Sequence, residues 1–116
     1  MSDDSTSVAE LRQWIRDFVH ERDWEQFHDP KNLAMAIAIE AAELMEHFQW
    51  LRTDQLSSIR NDPKAMAPIR EELADITAFV LSFANALDID LSTAVKEKIA
   101  KNELKYPADK FRGKFG

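Results

Sequence analysis

Residues 29–50 read DPKNLAMAIAIEAAELMEHFQW. Asp29-Pro30 is a helix-start signal, because proline suits the first turn, where its missing N–H has no partner anyway. Apolar residues then recur at helical spacing, which predicts a helix from about Pro30 to Trp50. At about 100° per residue, Leu33, Ala36, Ile37 and Leu44 form one stripe. Glu40 falls in the middle of that stripe rather than on the polar side, and Glu43 lies three residues on at its edge.

The same arrangement recurs downstream. Asp62-Pro63 is a second start signal, and IREELADITAFVLSFANAL continues as a helix, with Pro68 blurring its first turns. Glu72 falls among Ile69, Ile76, Phe79 and Phe83, and Asp75 lies three residues on. Before the quoted stretch, Ser7 and Glu10 make a capping-box pattern, and Val8, Leu11, Ile15, Phe18 and Val19 follow at helical spacing to about His20. The connection ERDWEQFHDPKN reads as a loop, unusually aromatic for one. LRTDQLSSIRND is a second loop with room for one short turn. After the turn Asp88-Ile89-Asp90, Asp90 can cap a last helix from about Leu91 to Lys105, which ends before Tyr106-Pro107. The reading is all-α: four helices with short connections, packed as a bundle. Residues 1–6 read as a disordered lead, 7–107 as the domain, and 108–116 as a basic, mobile tail.

Composition narrows the chemistry. The chain has 116 residues, enough for one domain whose thin core favours oligomers. Its two glycines, Gly113 and Gly116, both lie near the C-terminus, so no glycine-rich phosphate loop is available. Without cysteine there is no disulfide, thiolate metal site or cysteine nucleophile. A net charge of −6 disfavours nucleic acid and anionic membranes as partners, though a cation can still mediate a phosphate contact. The acidic, polar start and the lack of a long apolar run lead to an expected cytoplasmic location.

A carboxylate directed at a core is costly unless it is protonated, paired or bound to a metal. Two pairs, E-x-x-E and E-x-x-D, each set their acids one turn apart on one helix face. Two facing helices can therefore aim four oxygens at one point, a donor set for Mg²⁺ or Mn²⁺ rather than zinc or copper. Pairing with a buried base is the competing account; Arg70 and Lys31 are available, but neither is well placed on a stripe. A di-iron bundle needs Glu-x-x-His on two helices, and only Glu25-x-x-His28 fits, in a loop. Asn102 shares the inward stripe of the last helix with Val95, Ile99 and Tyr106, and Lys98 lies at its edge. A buried amide there needs a partner, which a ligand or a backbone carbonyl can supply. Trp24, Phe27 and Trp50 can stack a base or cover the bundle end, and His28 can meet a phosphate or cap a helix.

Residues 22–50, RDWEQFHDPKNLAMAIAIEAAELMEHFQW, with EELADI at 71–76 and KIAKNELKYP at 98–107, resemble the dCTP pyrophosphatase branch of the MazG-like superfamily. The resemblance covers about residues 8–107. It implies an all-α MazG-like bundle, oligomers built from dimers, and Mg²⁺-dependent cleavage between the α- and β-phosphates of a nucleoside triphosphate. The products are a nucleoside monophosphate and pyrophosphate, and the substrate is dCTP or a modified dCTP. A role in clearing unwanted nucleotides is implied with it. By matching motif, Glu40, Glu43, Glu72 and Asp75 are the metal ligands and catalytic acids, and Trp24, His28, Trp50, Lys98, Asn102 and Tyr106 surround the nucleotide. Ala41-Ala42 stands where the branch often has a glycine, and His47 where some relatives carry a further acid. The rival readings are a same-fold enzyme for dUTP or phosphoribosyl-ATP, and a non-catalytic helical oligomer that binds nucleotide or a protein partner.

Overall fold

A computed structural model describes residues 1–114. The described chain is helical throughout: α1 (Val8–Glu21), α2 (Pro30–Glu46), α3 (Thr53–Leu56), α4 (Pro63–Leu87), α5 (Leu91–Lys105) and α6 (Ala108–Phe111), with 3-10 turns at Glu25–Phe27 and Ile59–Asn61. The all-α reading holds, and the four long helices are the four expected from sequence. Of the two short helices, α3 is the short turn for which the second loop has room, and α6 was not foreseen. Among the described residues, no single helix is long and apolar enough to cross a membrane.

Local chemistry explains the starts. Ser7 Oγ accepts from the Glu10 N–H (3.1 Å) while Glu10 Oε1 accepts from the Ser7 N–H (3.4 Å), closing the expected capping box. Asp29 Oδ1 accepts from the Asn32 N–H (2.8 Å), and Pro30 takes the first helical position. Asp62 Oδ1 accepts from the N–H groups of Lys64 and Ala65, so α4 begins at Pro63 and carries Pro68 inside it. Asp90 Oδ2 accepts from the Thr93 N–H (3.0 Å) and caps α5. The Thr93 side chain, then that backbone N–H and the nearby Arg12 charge, hold the Asp90 carboxyl below its usual pKa.

The ends were less well read. Helix α2 stops at Glu46, four residues short of Trp50. Its last turn tightens instead, with the N–H groups of His47 and Phe48 donating to the carbonyls three residues back. The lead read as disordered forms a turn in which the Ser5 N–H donates to the Ser2 carbonyl (3.1 Å). Within the tail read as mobile, Ala108–Phe111 forms one turn of helix, and residues 115–116 lie outside the described residues.

Helices α2 and α4 pack along each other, and α1 packs on α4. Leu33, Val19, Leu81 and Ala84 are the buried apolar side chains at their junction. Arg12 ties α1 to the end of α4, donating from Nε to Asn85 Oδ1 (2.9 Å) and from Nη1 to the Ile89 carbonyl (2.6 Å). Helix α5 turns away from α4 by 100° and touches the other helices only sparsely. Its apolar stripe is therefore open: Val95 is 56% and Ile99 52% exposed.

Candidate active site

Helices α2 and α4 run antiparallel. The His28 ring, just before α2, meets Phe79 late in α4 (centroids 6.4 Å apart), whereas Glu40 in mid-α2 meets Glu72 in mid-α4. Glu40, Glu43 and Glu72 each place a carboxylate oxygen within 4.8 Å of the others. The stripes that made these acids look misplaced in sequence are the surfaces by which the two helices face each other. Asp75, one turn beyond Glu72, is exposed and stands outside that trio.

Among the described residues, no base pairs with the acids. Glu40 Oε2 and Glu72 Oε2 are buried and accept no hydrogen bond among the described residues. Neither Arg70 nor Lys31 forms an ion pair, so the pairing account fails among the described residues. The Glu40 carboxyl is pushed up from 4.5 to about 7. The largest cause is the Glu72 carboxyl facing it, followed by its burial, then by the contact with Glu43 and the charges of Glu43 and Asp75. Two orphaned carboxylate oxygens with a third acid alongside are a donor set that a hard divalent ion fits.

At the other end of the α2–α4 pair, Trp24 stacks beside His28 (centroids 6.3 Å, 29° between planes), and Phe18 meets Trp24 edge-on at 5.7 Å. His28 Nδ1 is buried without a partner. A cleft of about 550 Å³ opens there between α1, the 3-10 turn and α4. Ile15 and Val19 line it from α1, and Ser82, Asn85 and Ala86 from α4. Ser82 and Asn85 were not singled out from sequence. Their signal was present, since Ser82 lies seven residues beyond Asp75 and so on the same helix face.

A profile described as the MazG-like family matches residues 35–114. The chain belongs to the MazG-like family. It is 36% identical over 107 residues to dCTP pyrophosphatase 1 of Rattus norvegicus and of Mus musculus, across 92% of this chain. The Homo sapiens protein of that name is 36% identical over 102 residues. The chain spans 63% of the length of the rat and mouse proteins. Among solved structures, a pyrophosphatase from Archaeoglobus fulgidus DSM 4304 superposes with a TM-score of 0.80 at 38% identity, over 92% of this chain and 98% of that one.

Within this MazG-like fold, one chain does not gather every expected site residue. Trp50 is 85% exposed, beyond the C-terminal end of α2, whereas Trp24 and His28 precede its start. The helix between them has 17 residues and is about 25 Å long. Lys98, Asn102 and Tyr106 lie on or just after α5; none bonds to the acids among the described residues. Tyr106 instead packs edge-on against Phe111 (5.3 Å) with the Lys105 ammonium over its ring.

Proposed function

We propose that the protein is a Mg²⁺-dependent nucleoside triphosphate pyrophosphohydrolase that cleaves dCTP or a modified dCTP to the monophosphate and pyrophosphate. The observation that carries this reading is the pair of buried, unpartnered oxygens on Glu40 and Glu72 with Glu43 beside them. Glu40, Glu43 and Glu72 hold the cation, Asp75 completes the set from one turn along α4, and Mn²⁺ can replace Mg²⁺. When bound, the ion offsets the phosphate charge and makes a water more acidic. Trp24 offers a ring face to the base, and His28 an edge. A carboxylate of the cluster takes the proton of the attacking water, whose oxygen joins the α-phosphorus in line. The bond from that phosphorus to the bridging oxygen breaks, and pyrophosphate leaves.

A second copy of the chain belongs to this reading. The accessible surface is 9463 Å², against about 6,500 Å² for a compact monomer of this mass. The radius of gyration is 17.3 Å, against about 13 Å for a compact domain of this length. A dimer, or a tetramer built from dimers, covers the open stripes and carries Trp50 and the α5 residues to a neighbour's acids.

The test is pyrophosphate release from the common nucleotides and 5-substituted dCTP, with Mg²⁺ and with EDTA. Release is expected only with the metal, and fastest with a dCTP-type substrate. Glu72→Gln should lower turnover by at least about a hundredfold. Full turnover in EDTA, or in that variant, overturns the reading.

A further inference from the structure

Four side chains of α4, Glu72, Asp75, Phe79 and Ser82, follow one another at three- and four-residue steps and so share one face. Ser82 lies two turns beyond Asp75, about 10 Å along the axis. That is a span a sugar bridges between a base and its phosphates. Ile15, Val19 and Ala86 supply the apolar wall of the cleft there, and Arg16, Asp17, His20 and Glu25 line it as well.

Two polar atoms in that wall are uncommitted. His28 Nδ1 is one. The other is the Ser82 hydroxyl, whose residue is only 8% exposed. Helical hydroxyls often bond back to the carbonyl four residues earlier, as Thr77 Oγ1 does to Leu73 (2.8 Å). Ser82 makes no such bond, nor any other side-chain hydrogen bond among the described residues. Its neighbour Asn85 is not free in this way. Asn85 Oδ1 accepts from Arg12 Nε and Arg16 Nη2, both at 2.9 Å, and its Nδ2 donates to the Arg12 carbonyl. Asn85 holds the wall in place, and the hydroxyl beside it is left to meet what enters.

We infer that Ser82 is a specificity-determining residue: its hydroxyl hydrogen-bonds the polar edge of the nucleobase seated in the cleft between α1 and α4, opposite His28. The inference rests on the nucleotide reading above and adds the group that ranks one base over another. A hydroxyl both donates and accepts, so it satisfies an amino or a carbonyl edge. Discrimination then comes from reach: a base whose amino or carbonyl edge does not extend to the hydroxyl leaves it covered and unpaired, and that penalty ranks the bases.

The experiment compares wild type with Ser82→Ala and Ser82→Thr on the four common deoxynucleoside triphosphates with Mg²⁺. Ser82→Ala should lower kcat/KM for dCTP about three- to tenfold, through KM with kcat unchanged. The other three nucleotides should change less than about twofold, so the ranking flattens. Ser82→Thr, which keeps the hydroxyl, should keep the ranking. A second readout is Trp24 fluorescence on titration with the deoxynucleoside monophosphates, where Ser82→Ala should lose the preference that wild type shows. An unchanged ranking in Ser82→Ala, or an equal loss for all four nucleotides, overturns the inference. If wild type releases pyrophosphate from none of them, the hydrolase reading fails instead, and the fluorescence ranking alone decides the role of Ser82.

Discussion

Glu40 carries the sharpest consequence at the scale of one residue. Its carboxyl titrates at about 7 in the fold, against 4.5 in the unfolded chain. Between those values the native state keeps a proton that the unfolded chain has released. That contribution to stability is complete below about 4.5 and is lost as the pH rises through about 7. The metal-free protein should therefore melt progressively lower between about pH 5 and pH 8, and Glu40→Gln should lose much of that slope. At pH 8 in EDTA the variant should melt above wild type, because one repelling charge is gone. With Mg²⁺ the order should reverse, since binding at about a hundred times Kd contributes roughly 2.7 kcal/mol to wild type and less to a variant lacking a ligand. Thermal melts of both proteins at the two pH values, in EDTA and in Mg²⁺, check this; an equal Mg²⁺ response would remove Glu40 from the metal site. The acids were legible in sequence because a charge on an apolar stripe is a conflict that local rules cannot resolve. For Ser82 the spacing gives only its place on the acids' face, because a serine on such a stripe is ordinary, and its missing back-bond exists only in three dimensions.

Helix starts were legible because each is chemically marked, whereas ends depend on context. Asp29-Pro30 and Asp62-Pro63 combine an accepting side chain with a residue that needs no donor. The run HFQW after Glu46 carries neither glycine nor proline, so periodicity alone carried the reading of α2 four residues too far. Pro68 was a false warning. Six residues into α4 it removes one backbone bond, and the rest of a 25-residue helix continues past it. The start of α2 also has a functional load, because it fixes the turn that presents His28. Asp29 accepts from both the backbone N–H and the side-chain Nδ2 of Asn32 (2.8 and 3.0 Å), and that Nδ2 also donates to the Phe27 carbonyl (3.2 Å). Asp29→Ala should cost about 1 kcal/mol of stability. It should also raise KM, because the loop that carries Trp24 and His28 loses its anchor, while kcat at saturation is little changed. Chemical denaturation with steady-state kinetics on one preparation tests both halves. A stability loss with unchanged KM would make the cap purely structural.

For the whole molecule, the resemblance implies that Trp24, His28, Trp50, Lys98, Asn102 and Tyr106 surround one nucleotide, and one chain does not bring them together. Helix α2 separates the first two from Trp50, and α5 leaves α4 at 100°. The open surface has the character of an interface. Met35, Ile39 and Met45 on α2, Leu73 on α4 and Val95, Ile99 and Leu104 on α5 are all exposed. The excess over a compact monomer is about 3,000 Å² per chain, enough for an obligate homodimer. If each site takes its acids from one copy and its α5 residues from the other, damage to the two sets can be complemented. Glu40→Gln and Asn102→Ala should each be impaired alone, Asn102→Ala mainly through KM. Mixed by unfolding and refolding together, half of the dimers pair one variant with the other. In each such dimer one site receives intact Glu40 from one copy and intact Asn102 from its partner, while the other site receives neither. Assayed with substrate well below the KM of Asn102→Ala, the mixture should recover about a quarter of wild-type activity, the share of sites with both intact. The control mixes Glu40→Gln with Glu72→Gln, two lesions in the same set, which should recover nothing because every site then has a damaged acid. No recovery in the test mixture, despite hybrid dimers seen by native mass spectrometry, would mean that no site combines acids from one copy with Asn102 from the other, and recovery in the control would mean that the acids of one site come from both copies; either result overturns the arrangement.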